Sequence, residues 1–148
     1  MWKTEHSETS SASPEAVWRV VSDIEHWGDW NPGYREAHLD GDLRSGSPGR
    51  VVLANGLRRG FSVLDATPNA SLIIGASGRG IRQQFSHTIE ALPTGGTRVS
   101  MTASMDGPLT PILSRVFGRV MAGYYPTAVR QLVATAEGHL AESHERHG

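Results

Sequence analysis

Between positions 34 and 105 the chain is cut at short intervals by turn-forming residues, and beyond them it changes to one long helical period. Asp40-Gly41-Asp42, Ser47-Pro48-Gly49, Asn55-Gly56, Thr67-Pro68-Asn69 and Pro93-Thr94-Gly95-Gly96 bound runs that alternate apolar and polar residues. These runs read as strands at about 34–39, 50–54, 59–66, 72–76, 81–92 and 97–105. Such short links admit antiparallel neighbours only, because a parallel return needs a crossover of a dozen or more residues. From Leu109 the apolar positions become Ile112, Leu113, Val116, Phe117, Val120, Met121 and Tyr124, a helical spacing that continues through Val129, Leu132, Ala136 and Leu140. About 30 residues of helix would reach roughly 45 Å. Pro126 cannot donate to the carbonyl of Ala122, so a kink is expected near Gly123.

The opening of the chain supplies one more strand and two short helices. Residues 4–10 are extended in character. Ser13 is a good N-cap, Pro14 suits the first helical position and Glu15 complements the positive helix end, so a helix is expected over 14–22. A shorter helix or turn at 24–30 carries Trp27 and Trp30 and is stopped by Asn31-Pro32-Gly33. With 148 residues, 38% hydrophobic and 20% charged, the chain fits a single folded domain, expected over 1–142, with a polar tail at 143–148. Its 14 basic and 15 acidic residues nearly cancel, which disfavours a nucleic-acid footprint. Cysteine is absent, so disulfides, thiolate metal sites and a cysteine nucleophile are excluded. No apolar run is long enough for a membrane span, and the polar start is unlike a signal peptide, so a cytoplasmic protein without stable membrane insertion is expected.

Strand alternation assigns inner faces. In the run 81–92, Phe85, His87, Ile89 and Ala91 share one face; in 97–105, Val99, Met101, Ala103 and Met105 do. The apolar sets must point inward, so His87 points to the core or to a cavity, either as a core histidine bonded to a neighbour or as a group touching a ligand. Counting back from the first helix puts His6, Glu8 and Ser10 on the inner face of the first strand; a slip of one residue would expose them instead. If inward, Glu8 would have a raised pKa unless paired, and a Glu8–histidine pair could serve as general acid or base. Trp27 and Trp30 either cover a cavity mouth or pack the short helices. One of Tyr124 and Tyr125 should face the sheet, only one of Arg58 and Arg59 can face inward, and Arg115 and Arg119 read as solvated charges. The histidines lack metal-ligand spacing, and no phosphate loop, nucleophile elbow or cofactor fingerprint occurs, so neither a metal nor a cofactor is expected.

Taken in order, Ala12-Ser13-Pro14-Glu15-Ala16-Val17-Trp18, Trp27, Trp30-Asn31-Pro32-Gly33, His87, Gly96-Thr97-Arg98-Val99 and Asp106-Gly107-Pro108-Leu109 resemble the START-like helix-grip (SRPBCC) superfamily, in its polyketide cyclase/dehydrase-type branch. The resemblance covers about 4–140. It implies an α+β helix-grip fold: a seven-stranded curved antiparallel sheet around a long C-terminal helix, with an apolar cavity between them. It also implies a small hydrophobic or aromatic ligand, such as a lipid or polyketide-like metabolite. The residues read as lining the cavity are Trp30, Phe61, Phe85, Met101, Met105, Val116, Val120 and Tyr124. Gly75–Gly78, Ala103-Ser104 and Ala122-Gly123 are read as leaving it room. The alternative is a cofactor-independent cyclase, aromatase or dehydratase using His87 with His6 and Glu8 as acid–base groups. The first strand departs from the aliphatic inner face usual in the superfamily, and no single arginine can be matched to the pocket arginine of aromatase/cyclases. A homodimer through an edge strand or the long helix is a further expectation.

Overall fold

The computed structural model of the protein describes residues 2–147, with side chains described through residue 138; the tail expected at 143–148 lies outside those side chains. Strand β1 (Trp2–Ser10) leads into helix α1 (Pro14–Ser22), a 3-10 turn (Ile24–His26) and helix α2 (Trp27–Trp30). Six strands follow: β2 (Tyr34–Leu39), β3 (Pro48–Leu53), β4 (Arg58–Thr67), β5 (Ser71–Gly78), β6 (Ile81–Ala91) and β7 (Thr97–Asp106). The chain ends in α3 (Thr110–Leu113), a π-helical turn (Ser114–Gly118) and α4 (Arg119–His147). All seven strands form one antiparallel sheet in the order β1-β7-β6-β5-β4-β3-β2, so β1 returns across the whole chain to pair with β7. The expected helix-grip architecture is thus present, with the short helices where the caps put them. The Ser13 side chain accepts from the Ala16 amide at 3.1 Å, and Pro14 opens α1.

The inner faces follow the alternation. Val99, Met101, Ala103 and Met105 of β7 are buried, as are His87 and Ile89 of β6. Against them pack Val17, Val20 and Val21 of α1, Trp27 and Trp30 of α2, and Ala128, Val129, Leu132 and Ala136 of α4. Polar groups inside this core are bonded where the chain changes direction. Trp27 Nε1–H donates to the Val21 carbonyl at 2.8 Å, tying α2 back onto α1. The fully buried Thr97 hydroxyl donates to the Ala12 carbonyl at 2.7 Å, fixing the entry of α1 to β7.

The long helical period behaves differently from its sequence pattern. The departure from α geometry lies at Ser114–Gly118, well before Pro126, which is carried inside α4. At that turn Gly118 rests on the Trp2 indole; a Cβ there would stand 2.7 Å from the ring. The first half of the apolar stripe is also not buried: Leu109, Ile112, Val116, Phe117 and Val120 are all exposed. The reason is the lie of the helix. From Met121 onward α4 packs on β1, β7 and α1, whereas the segment before it passes beyond the sheet's filled end.

Thr97→Val keeps the shape of the side chain but strands the Ala12 carbonyl in the core. It is expected to lower stability by about 1–3 kcal/mol in urea unfolding, with the native circular dichroism spectrum retained.

Candidate ligand cavity

Because α4 covers the β1–β7 side of the sheet, the inner face of β3, β4 and β5 has no helix directly upon it. Val51, Phe61, Ile74 and Ala76 point inward there, and the space above them is roofed by 116–124 and closed at the side by Pro32–Tyr34. The result is a cavity of about 460 Å³ with mainly apolar walls. Its volume lies in the range of small-molecule sites. Small residues make the room: Gly33, Gly60 and Ala76 all line it. Ala76 is thus a spacer, as expected, but Ala103 is close-packed core and Ala122 and Gly123 are exposed.

Of the eight residues read as lining, Phe61, Phe85, Val116, Val120 and Tyr124 border this cavity. Trp30, Met101 and Met105 do not line the cavity. They are buried in the filled end of the grip, where α1, α2 and α4 leave no space above them. The two tryptophans therefore pack the short helices and do not cover a mouth.

Of the cavity's polar groups the sequence singled out Tyr124, left Arg59 open beside Arg58, and gave no sign of Tyr34, Asn55 or Gln83. Arg59, the inward member of the Arg58-Arg59 pair, lines it, and its guanidinium Nη2 donates to Gln83 Oε1 at 3.3 Å. Asn55, Tyr34 and Tyr124 complete the set. Burial pushes the Tyr124 phenol up to about 12 and that of Tyr34 higher still, with Tyr124 adding to it. Both phenols are therefore protonated donors at neutral pH. No carboxylate and no imidazole lines the cavity among the described residues.

His87, His6 and Glu8 are not brought together there, which corrects the expectation of a shared acid–base set. His87 is 3% exposed and its ring sits between Trp27, at 5.2 Å between centroids, and Trp30, edge-on at 6.2 Å. Its Nδ1 faces the Leu72 carbonyl at 3.3 Å, which fixes the proton on that nitrogen, since a carbonyl only accepts. Burial pushes its pKa down to about 4, the Leu72 carbonyl opposing only in part. At neutral pH it is an uncharged core ring.

His6 and Glu8 do face inward, and they meet each other: His6 Nε2 lies 2.8 Å from Glu8 Oε1. Their strand, however, is under α4, not over the cavity. Arg130 of α4 donates to Glu8 at 3.4 Å, and Ser10 Oγ donates to Glu137 of α4 at 3.0 Å. The His6 imidazole first, then Arg130, hold the Glu8 carboxyl below its ordinary value. The unexpected polarity of β1 is thus matched by a polar stripe on the helix above it. Met101 pairs with His6 on one side and His87 on the other, so two strand spacings, roughly 10 Å, separate the two histidines.

Residues 1–137 match the family described as polyketide cyclase / dehydrase and lipid transport, and the chain belongs to that family, within the helix-grip class that its fold defines. No curated protein sequence matches the chain. Among solved structures, a protein from Mesorhizobium loti superposes with a TM-score of 0.73 at 19% identity, covering 92% of this chain and 97% of its own. The Zhui aromatase/cyclase from a Streptomyces species does so with a TM-score of 0.73 at 13% identity, covering 92% and 93%. A norcoclaurine synthase from Thalictrum gives 0.71 at 12% identity, covering 93% and 95%. At such identities these likenesses concern the fold. The family match supports a role in binding or cyclising a small molecule.

His87 provides a pH test of the filled end. Its pKa falls from 6.5 in the unfolded chain to about 4 in the fold, so the unfolded state binds more protons between these values. The stability it permits is fully present above pH 6.5 and is lost as the pH falls toward 4, by on the order of 3 kcal/mol. Urea unfolding at a series of pH values should show this slope, and His87→Phe should flatten it.

Proposed function

We propose that the protein binds a small hydrophobic or aromatic molecule, of lipid or polyketide-like character, in the cavity between the β3–β5 inner face and the 116–124 segment. The observation that carries this reading is the make-up of the lining. Apolar walls surround one guanidinium and two protonated phenols, with no titratable base beside them. Apolar walls take up a ring system or chain by removing it from water. Arg59, steadied by Gln83, offers a cation to a carbonyl, enolate or carboxylate oxygen, and Tyr34 and Tyr124 offer hydroxyl protons.

A second reading, cofactor-independent cyclisation or dehydration, draws on the same donors. Groups that hydrogen-bond a carbonyl oxygen stabilise the negative charge that grows on it as a neighbouring carbon loses a proton. In that case the cavity would fold the substrate and polarise its carbonyls, and the proton acceptor would have to come from the substrate or water. The lack of a lining base makes binding the leading reading.

The fluorescent probe 8-anilinonaphthalene-1-sulfonate, an aromatic anion, tests the assignment directly. The protein is expected to enhance its emission in a saturable manner. Arg59→Gln should weaken binding roughly tenfold, since a hydrogen bond to a charged group contributes about 1.5–3 kcal/mol. Ala76→Phe should abolish binding by filling the space, while both variants unfold cooperatively. Unaltered binding in both variants would place the probe elsewhere and end this reading. Native mass spectrometry of freshly purified protein would identify a molecule that travels with it.

A further inference from the structure

The sheet is not zipped along the full length of its strands. Strands β4 and β5 pair from Thr67–Ser71 as far as Ser62–Gly75, and there their ladder stops. Both strands run on, β4 to Arg58 in register with β3 and β5 to Gly78 in register with β6. Continuing the β4–β5 register would set Phe61 opposite Ala76 and Gly60 opposite Ser77, but neither pair forms. A seam is left inside the sheet. Along it two strand edges face each other without the ladder partners that a closed sheet supplies to their peptide groups. A side-chain bond reaches across it on the inner side: Arg59 Nη2 of β4 donates to Gln83 Oε1 of β6, above β5, where Ala76 sits opposite Gln83.

A groove of about 890 Å³ lies against the outer face of the sheet at the same place. Gly60, Phe61, Ala76 and Gln83 border both this groove and the inner cavity. The first three stand at the seam, and Gln83 takes part in the bond that spans it. The groove's other walls are polar without a net charge. Ser62, Ser77 and Ser104 present hydroxyls and Gln84 an amide, while the cation Arg82 is paired with the anion Asp106 at 3.4 Å. Leu64 adds an aliphatic side; it is 49% exposed and leans over Gly75, where a Cβ would stand 2.8 Å from its Cδ1. A hydrocarbon would leave these hydroxyls and the seam's peptide groups without partners. An ion would find no unpaired opposite charge. A neutral group rich in hydroxyls meets both demands.

We infer that the cavity continues through the β4–β5 seam into the outer groove, and that the groove is a second subsite for a neutral, hydroxyl-bearing head, such as a sugar ring, on the apolar body held inside. This rests on the cavity reading above and extends it to the other end of the ligand. The serines and Gln84 bond the head. The link between head and body passes between the two unzipped strand edges, whose peptide groups bond its oxygens. Gln83, which borders both spaces, stands at the inner end of that passage.

The test is displacement of bound anilinonaphthalene sulfonate by octyl β-glucoside and by 1-octanol, the glucoside below its micellar concentration. The two compounds share a chain and differ in the head. The parent protein should favour the glucoside roughly tenfold, the worth of about two net hydrogen bonds. Ser77→Tyr with Ser104→Tyr fills the groove from two outer-face positions that do not line the cavity. It should bring the glucoside down to the level of octanol, while the affinities for octanol and for the probe stay as they were. Gln84→Ala, a smaller change in the same groove, should reduce the glucoside's advantage about threefold and keeps the test open if the double variant does not fold. Equal displacement by the two compounds in the parent protein, or a glucoside advantage that survives in these variants, overturns the inference, while saturable probe binding leaves the cavity reading standing. A parent protein that binds no probe fails the cavity reading, and this inference falls with it.

Discussion

The contact between α4 and the β1–β7 end of the sheet governs how the rest of the molecule can be filled. A straight helix meets a curved seven-stranded sheet over only part of its inner face. Here the meeting place is held by Ala128, Val129, Leu132 and Ala136 against Val99 and Met101, and sealed at its rim by Glu8–Arg130 and Ser10–Glu137. Removing those aliphatic groups from water contributes about 1.5–3 kcal/mol for each large side chain, which outweighs partly exposed ion pairs worth about 0–1 kcal/mol. The apolar contact supplies the energy of the grip, and the polar rim sets its register. Once α4 is fixed there, β3, β4 and β5 are left with an uncovered inner face, and the space above them becomes the cavity.

The filled end shows the opposite solution. Trp27 and Trp30 occupy the volume beneath α1 and α2, and His87 is held uncharged between them. Desolvation disfavours imidazolium there, and a single carbonyl contact at Nδ1 does not offset it. A titratable ring in this position is a packing element with a polar edge. The division of labour is therefore spatial: the titratable inner-face residues belong to the close-packed core and the α4 contact, and the cavity is furnished with groups that keep their protonation state at neutral pH.

The fold was legible because its signals are local. Turn residues cut the meander, Ser13-Pro14 capped α1, and alternation sorted Val99, Met101, Ala103 and Met105 onto one face. The site was legible only in part, because its position depends on where the helix lies across the sheet, and periodicity along a chain carries no such information. Phe61, Phe85 and Tyr124 were recoverable from strand face and helix phase. Trp30, Met101 and Met105 share the same faces and differ only in lying under the covered end. Arg59 was one of two candidates that alternation could not separate without the strand's register. For His6 and Glu8 alternation left two registers open, and the helix partners of this strand's inner face, Arg130 on Glu8 and Glu137 on Ser10, sit more than a hundred residues away.

The apolar stripe of the final helical region is the instructive failure. Its residues at 109–120 satisfy the same spacing as those at 121–136, and a stripe of that kind ordinarily marks the buried side of a helix. The spacing was sound, yet the conclusion that the stripe is core applies only where something lies beneath it. Before Met121 the helix has no sheet packed beneath it, and on either side of the π turn at Ser114–Gly118, seated on Trp2, Ile112, Val116 and Val120 are exposed. Val116 and Val120 are exposed and also belong to the cavity lining, so here the apolar stripe walls a hollow instead of meeting a core.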